Sequence, residues 1–107
     1  MSLNDLSNKI HGQALARGFW DEPRRLPELL TLAHSELSEA FEAWRDGDEP
    51  LYIDGDKPSG WALEVLDCII VCLDILRGIE PALDIDRLLE QKLHYNLQRP
   101  RLHGRKI

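Results

Sequence analysis

The chain has 107 residues, of which 43% are hydrophobic and 30% charged, and its formal net charge is −6 with a pI near 5.1. This length accommodates a single domain spanning residues 1–107, and the composition is that of an ordinary globular protein. The acidic balance argues against binding to a nucleic-acid backbone, which requires a basic face. It fits a protein that gathers acids around a cation.

Targeting signals and cysteine usage indicate the compartment in which the protein is expected. The N-terminal segment lacks the basic and apolar regions of a signal peptide. The two cysteines, Cys68 and Cys72, are four residues apart in an apolar segment. This spacing favours reduced core thiols over a zinc site, which would need further ligands. No apolar segment is long and uncharged enough to predict a membrane span. We therefore predict a cytoplasmic protein that does not bind membranes.

Hydrophobic periodicity predicts four helices and no strands. The first helix covers residues 3–16 and ends before Gly18, a suitable C-terminal stop. The second begins near Leu26 and Pro27, because proline favours the first turn, and continues to about Arg45. We expect its wide apolar stripe to face the core. The stripe consists of Leu26, Leu29, Leu30, Ala33, Leu37, Ala40, Phe41 and Trp44.

The third helix is the most informative. A connector of turn-forming residues leads into it, and we predict a helix from about Ser59 to Arg77 that is broken at Gly78. A helix that is apolar nearly all round belongs in the middle of a bundle. Between residues 61 and 76 the polar residues are Glu64, Asp67 and Asp74. Carboxylates in such a helix need a partner or a metal.

The fourth helix is predicted from Asp84, as the N-cap, to Leu97. Lys92, Asn96 and Arg99 form a cationic and amide row that could hold phosphate oxygens. The alternative is a lysine that reaches past apolar neighbours to solvent and an asparagine at a helix end. The tail that follows is basic. Together the elements predict an all-α fold, a four-helix bundle.

Two pairs of acids have the spacing of metal ligands. Glu36 and Glu39 are three residues apart, as are Glu64 and Asp67, and 24 residues separate the two pairs. Residues three apart share a helix face, so antiparallel neighbouring helices would bring four carboxylates together. Such a cluster suits Mg²⁺, or alternatively Mn²⁺. Taken alone, the first pair could also be a solvated helix face.

Two further positions and the assembly state stay open at this point. Asp74 could support the metal site, bond to a helix end or lie in an interface. Trp20 could stack on a base, or could cover the core as a lid. Four short helices would leave much of the third helix exposed, which predicts a homodimer or a dimer of dimers.

Motifs in two regions resemble those of a known family. One is the run 35–45, with Glu36 and Glu39, followed by Lys57-Pro58-Ser59-Gly60 leading into Glu64-Val-Leu-Asp67. The other is Lys92-x-x-Tyr95-Asn96-x-x-Arg99-Pro100-x-x-His103-Gly104-x-Lys106. Both are similar to motifs of the MazG-like nucleotide pyrophosphohydrolases, all-α enzymes that also include dimeric dUTPases, dCTP pyrophosphatases and phosphoribosyl-ATP pyrophosphatase.

The resemblance implies hydrolysis of a nucleoside triphosphate between the α and β phosphates, giving a monophosphate and pyrophosphate in a house-cleaning role. It further implies that Mg²⁺ is held by Glu36, Glu39, Glu64 and Asp67. By the same resemblance, the phosphates or sugar would contact Lys92, Asn96 and Arg99, and the base would face Trp20. A rival class is a non-catalytic helical module that binds metal or nucleotide, or that simply forms an oligomer.

Overall fold

The computed structural model describes residues 1–105, and its architecture is mostly helical, as predicted. Lys106, the last residue of the C-terminal motif, lies outside the described residues. The prediction of no strands is wrong, because a short antiparallel hairpin stands in the connector. In chain order the elements are α1 (Leu3–Ala16), α2 (Leu26–Arg45), β1 (Tyr52–Asp54), β2 (Lys57–Ser59), α3 (Trp61–Ile79), α4 (Ile85–Leu97) and a 3₁₀ turn (Arg101–Gly104).

Local signals fix the ends of the first two helices. The Ser2 hydroxyl accepts a hydrogen bond from the Asp5 backbone N–H at 3.0 Å, which caps α1. Gly18 follows α1 with a φ of +85°, a conformation that favours glycine. Pro27 lies in the first turn of α2. Both helices therefore begin and end where the sequence predicts.

Contacts from distant residues fix the ends of α3 and move both from their predicted places. The helix begins at Trp61 because Lys57–Ser59 pair in the hairpin, with Lys57 opposite Asp54, and Gly60 is the N-cap. It continues through Gly78 to Ile79 instead of stopping at the glycine. A Cβ on that glycine would lie 2.5 Å from Cζ2 of Trp20, so the glycine provides room for the indole ring.

In space the helices lie in the order α2, α3, α1, α4, and each packs on the next. The α2–α3 pair is antiparallel, since Leu29 near the start of α2 packs with Ile75 near the end of α3. These two residues and Ala33 form the buried core, against which Trp20 and other partly buried apolar side chains pack. In the described residues, no helix is long and apolar enough to cross a membrane.

A buried arginine ties α1, α3 and the start of α4 together. The Arg77 guanidinium is 8% exposed and donates to the Ser7 hydroxyl at 3.0 Å and the Asn4 side-chain oxygen at 3.1 Å. It also donates to the backbone carbonyls of Pro81 and Leu83 at 2.8 and 2.9 Å. The N-terminus of α4 is held to α1 in addition by Asp86, which accepts the Leu3 backbone N–H at 2.9 Å. Asp84 caps α4 as predicted.

Candidate metal centre and adjoining cavity

Three of the four predicted acids converge between α2 and α3. Glu36 comes from α2, and Glu64 and Asp67 come from adjacent turns of α3. Each offers a carboxylate oxygen, and these oxygens lie within 4.8 Å of one another. Glu36 and Glu64 are half-buried, whereas Asp67 is exposed. One side of the cluster therefore rests on packed helices while the other is open to a ligand from solvent.

Glu39, the fourth predicted acid, lies one turn further along α2 and is exposed. Its carboxyl group lies near that of Glu36. Burial raises the pKa of Glu36, and the nearby charges of Glu39, Asp67 and Glu64 raise it further. Four carboxyl groups are thus close enough to repel one another. Repulsion of this kind is relieved by protonation or by a cation.

The donor set fits a hard divalent cation. All of the available ligand atoms are carboxylate oxygens, the ligands that Mg²⁺ and Mn²⁺ favour. A single ion at ordinary metal–oxygen distances of about 2.1 Å holds its ligand oxygens at most about 4.2 Å apart. The oxygens here lie within 4.8 Å of one another, so small side-chain shifts would let them share one ion. The residues that would hold the ion are Glu36, Glu64 and Asp67, with Glu39 beside them.

A cavity of about 290 Å³ adjoins this cluster and shares Glu36 as part of its wall. Its sides come from α1, α2, α3 and the loop after α1, and most of them are apolar. Small-molecule pockets are typically of this character, with a few polar groups that fix orientation. The polar residues of the wall are Gln13, Arg17, Arg24, Glu36 and Asp74.

Asp74 lies on this wall and receives hydrogen bonds from two side chains. His11 Nδ1 is 2.7 Å from Asp74 Oδ1, and the Trp20 indole N–H donates to both carboxylate oxygens at 3.1 and 3.0 Å. The Arg24 guanidinium is 4.0 Å from Oδ2. The structure therefore places Asp74 in the cavity wall, about two helical turns beyond Asp67 on α3, a role different from the three left open by the sequence.

No protein-family model matches the chain, and no curated protein or solved structure matches it at a significant level. The resemblance to MazG-like pyrophosphohydrolases stays a prediction from the motifs. Function is therefore inferred from the residues and geometry of this chain alone.

Trp20 is placed as a lid on the core, the second of its two predicted roles. Its ring lies edge-on to that of His11, with centroids 5.1 Å apart, and it covers Gly78. The Arg24 guanidinium lies 4.9 Å from the ring centroid on one face. The neighbouring Phe19 is the aromatic residue that lines the cavity. Trp20 therefore acts on the cavity through Asp74, which its indole N–H holds in place.

The predicted phosphate-binding row lies on α4, whose main packing partner is α1. The Lys92 ammonium is 5.3 Å from the ring centroid of Tyr95, and the Arg99 guanidinium is 5.8 Å from the same ring. Asn96 Oδ1 is buried without a hydrogen-bond partner among the described residues. Within residues 1–105, no hydrogen bond or ion pair joins Lys92 or Asn96 to Glu36, Glu64 or Asp67. Lys92 and Asn96 are thus not bonded to the acids within the described part of one chain.

Two side chains that contact Asp74 in the cavity wall were not predicted from the sequence. Neither His11 nor Arg24 was assigned a role there. Their contact with Asp74 spans 63 and 50 residues of chain, and periodicity reports only neighbours within one helix. The available signal was Asp74 itself, a third acid on an apolar helix that needed partners.

Proposed function

We propose that the protein is a Mg²⁺-dependent nucleoside triphosphate pyrophosphohydrolase. The reaction cleaves a ribo- or deoxynucleoside triphosphate between the α and β phosphates and releases a nucleoside monophosphate and pyrophosphate, with Mn²⁺ as an alternative cation. The observation that carries the proposal is the convergence of Glu36, Glu64 and Asp67 beside an apolar cavity. A cation site next to a pocket of this size is what a bound nucleotide requires.

Charge explains why the acids and the substrate need a cation between them. A triphosphate is strongly anionic, and the Glu36–Asp67 cluster is anionic as well, so neither binds the other directly. When bound, Mg²⁺ supplies charge neutralisation and lowers the pKa of a coordinated water. In this proposal Glu36, Glu64 and Asp67 hold the cation. Glu39 is exposed and adjacent to them, and it accepts the proton of the attacking water.

Lys92, Asn96 and Arg99 are proposed to contact the phosphates or sugar once chains assemble. All three lie on α4 or just beyond it, and α4 packs mainly on α1, whereas the acids lie on α2 and α3. A second copy could bring an α4 close to the acid cluster, which would complete the site at a subunit boundary. The proposed assembly is a homodimer or a dimer of dimers.

The surface of the chain supports this assembly. The accessible area is 8,401 Å², whereas a compact monomer of this mass exposes about 6,100 Å². The radius of gyration is 16.4 Å, and a compact domain of this length has about 13 Å. The excess of about 2,300 Å² per chain is in the range that obligate dimers bury.

The apolar stripe of α2 indicates where the chains meet. Part of the predicted stripe packs on α3, but Leu30, Leu37, Phe41 and Trp44 are 51–61% exposed. These four lie within one narrow arc of the helix by its 3.6-residue period. A contiguous exposed stripe of this kind typically marks an interface. Its proposed occupant is the same stripe of a second copy.

Solution molar mass tests the dimer. A chain of 12.3 kDa should elute with at least twice that mass in light scattering. Phe41→Asp should shift the mass to that of a monomer, whereas Leu15→Lys, which changes an exposed leucine on α1, should not. A wild-type monomer with full activity would contradict the proposed assembly.

Product identity tests the reaction. A panel of nucleoside triphosphates with Mg²⁺ should release pyrophosphate and not orthophosphate. Glu36→Gln and Asp67→Asn should each lower turnover at least a hundredfold at unchanged helix content, because each removes a proposed ligand. Glu42→Gln is the matched control, since Glu42 is exposed and outside the cluster. Binding of Mg²⁺ without any pyrophosphate release would favour the rival, a non-catalytic binding module.

The proposed location is the cytoplasm. Cys68 and Cys72 are both free thiols in the structure, and free thiols are typical of a reducing compartment. Fractionation of the native host would test this part of the proposal.

A further inference from the structure

Asp74 is the third acid of α3 and lies outside the candidate metal site formed by Glu36, Glu64 and Asp67. Its side chain is 13% exposed and forms part of the cavity wall. A carboxylate can only accept hydrogen bonds, so the short contact to His11 requires the hydrogen on Nδ1. His11 and Trp20 together fix the orientation of the carboxylate. Each oxygen has two acceptor positions, and among the described residues Oδ2 accepts one hydrogen bond, from Trp20.

The cavity therefore presents a fixed acceptor to whatever enters it. The Arg24 guanidinium is 4.0 Å from Oδ2, too far for a direct hydrogen bond, and leaves one acceptor position available on that oxygen. The surrounding wall includes Phe19, Leu32 and Ile70, which offer flat apolar contact. A planar heterocycle with a donor group at its edge matches both features.

The position of Asp74 relative to the cluster sets which part of a nucleotide it meets. Asp67 and Asp74 are seven residues apart on α3, so they share a face and are separated by about 10 Å along the helix axis. Glu36 belongs to the cluster and to the cavity wall. A nucleotide whose phosphates lie at the cluster would extend its base along the cavity towards Asp74.

Given the proposed pyrophosphohydrolase function, on which this inference rests, we infer that Asp74 selects nucleotides whose base carries an amino group. Cytosine, adenine and guanine each present such a donor. Uracil and thymine present a single N–H flanked by two carbonyl oxygens, and those oxygens repel a carboxylate. A buried acceptor left without its donor typically reduces specificity constants by one to two orders of magnitude.

The sharpest test compares bases that differ in the exchange of an amino group for a carbonyl oxygen, together with the hydrogen that this exchange places on the adjacent ring nitrogen. For wild-type protein with Mg²⁺, kcat/KM for dCTP should exceed that for dUTP at least tenfold, and dATP should exceed dITP in the same direction. Both pairs exchange an amino group for a carbonyl oxygen and leave the phosphates and sugar unchanged. Equal efficiencies within each pair would overturn the inference, and this comparison needs no variant.

Asp74→Asn then tests the residue. His11 and Trp20 would hold the amide oxygen, so the amide NH₂ would turn towards the cavity and donate to a base carbonyl. The dCTP-to-dUTP ratio should therefore fall at least tenfold and could invert, while the ratio in Asp56→Asn, an exposed position in the hairpin turn, should stay at the wild-type value. A wild-type ratio in Asp74→Asn would overturn the role of Asp74.

Different results would refute the base selection by Asp74 and the hydrolase function on which it rests. Pyrophosphate release from dCTP and dUTP at the same rate would leave the hydrolase function standing and remove the base selection. Absence of pyrophosphate from every triphosphate would remove the hydrolase function itself. Circular dichroism of each variant distinguishes a changed preference from a loss of folded protein.

Discussion

Replacing Gly78 by alanine sets two opposing effects against each other at a single position. Gly78 lies inside α3, where alanine should stabilise the helix by about 1 kcal/mol. The new Cβ would, however, lie about 2.5 Å from Cζ2 of Trp20 and 3.0 Å from Cε1 of His11. Ordinary carbon contacts are about 3.5–4.0 Å, so the indole ring would have to move by about 1 Å.

Movement of the ring has its own cost because the indole N–H is held by Asp74. Overpacking of a well-packed site costs about 1–3 kcal/mol, and a lengthened hydrogen bond adds about 1 kcal/mol. Together these outweigh the gain in helix propensity. We expect Gly78→Ala to lower the free energy of unfolding by about 1–3 kcal/mol, which corresponds to a Tm decrease of roughly 4–8 °C per kcal/mol.

A double-mutant cycle separates the two effects. In a Trp20→Leu background the clash with the indole ring is absent and only the 3.0 Å approach to Cε1 of His11 remains. Gly78→Ala should therefore cost at least about 1 kcal/mol less than in the wild-type background. Urea denaturation at one fixed protein concentration measures both differences. If Gly78→Ala stabilises the protein equally in both backgrounds, the close approach of Trp20 is not the reason for the glycine.

Three further perturbations have defined outcomes. Gly60→Ala should destabilise the protein by about 1–3 kcal/mol in urea denaturation, because φ is +121° and a Cβ would lie 2.6 Å from the Glu49 carbonyl oxygen. Arg77→Lys should cost about 2–3 kcal/mol by the same measurement, because an ammonium cannot reach the acceptors that the guanidinium bridges. With chelator present, the raised pKa of Glu36 means that the folded state holds its proton more tightly. Its contribution to stability should be complete below its ordinary pKa of 4.5 and disappear as pH rises through the folded-state pKa. Glu36→Gln should remove that pH dependence, which denaturation at a series of pH values would detect.

Where neighbours along the chain decide the structure, the sequence was sufficient to predict it. The start of α1 depends on a hydroxyl three residues from the N–H that it caps, and its end depends on Gly18. The limits of α3 depend instead on distant contacts. Its N-terminal N–H groups donate to the carbonyls of Glu49 and Pro50, and its C-terminal turn is shaped by Trp20. Periodicity carries no information about such contacts.

The candidate site also has one part that follows from local spacing and another that depends on distant contacts. Glu36, Glu64 and Asp67 could be predicted together because spacing places each pair on a helix face and antiparallel packing brings the faces together. The cavity could not, since His11 reaches Asp74 from 63 residues away. The stripe of α2 was correctly identified as apolar, but all of it was expected to face a single core. The structure divides it between α3 and an exposed face.

The three acids of α3 look equivalent in the sequence, but in the structure their negative charges have different neighbours. Glu64 and Asp67 face another carboxylate, whereas Asp74 faces two N–H donors and a guanidinium. Only the first group therefore gains from a divalent cation. Mg²⁺ should raise the Tm of wild-type protein and of Asp74→Asn, but it should leave Asp67→Asn nearly unchanged. A ligand stabilises the folded state by an amount that grows with its concentration relative to its Kd, and loss of Asp67 raises that Kd. The same loss of the Mg²⁺ response in both variants would mean that the two ends of α3 form one site, contrary to the division that the hydrogen bonds of Asp74 indicate.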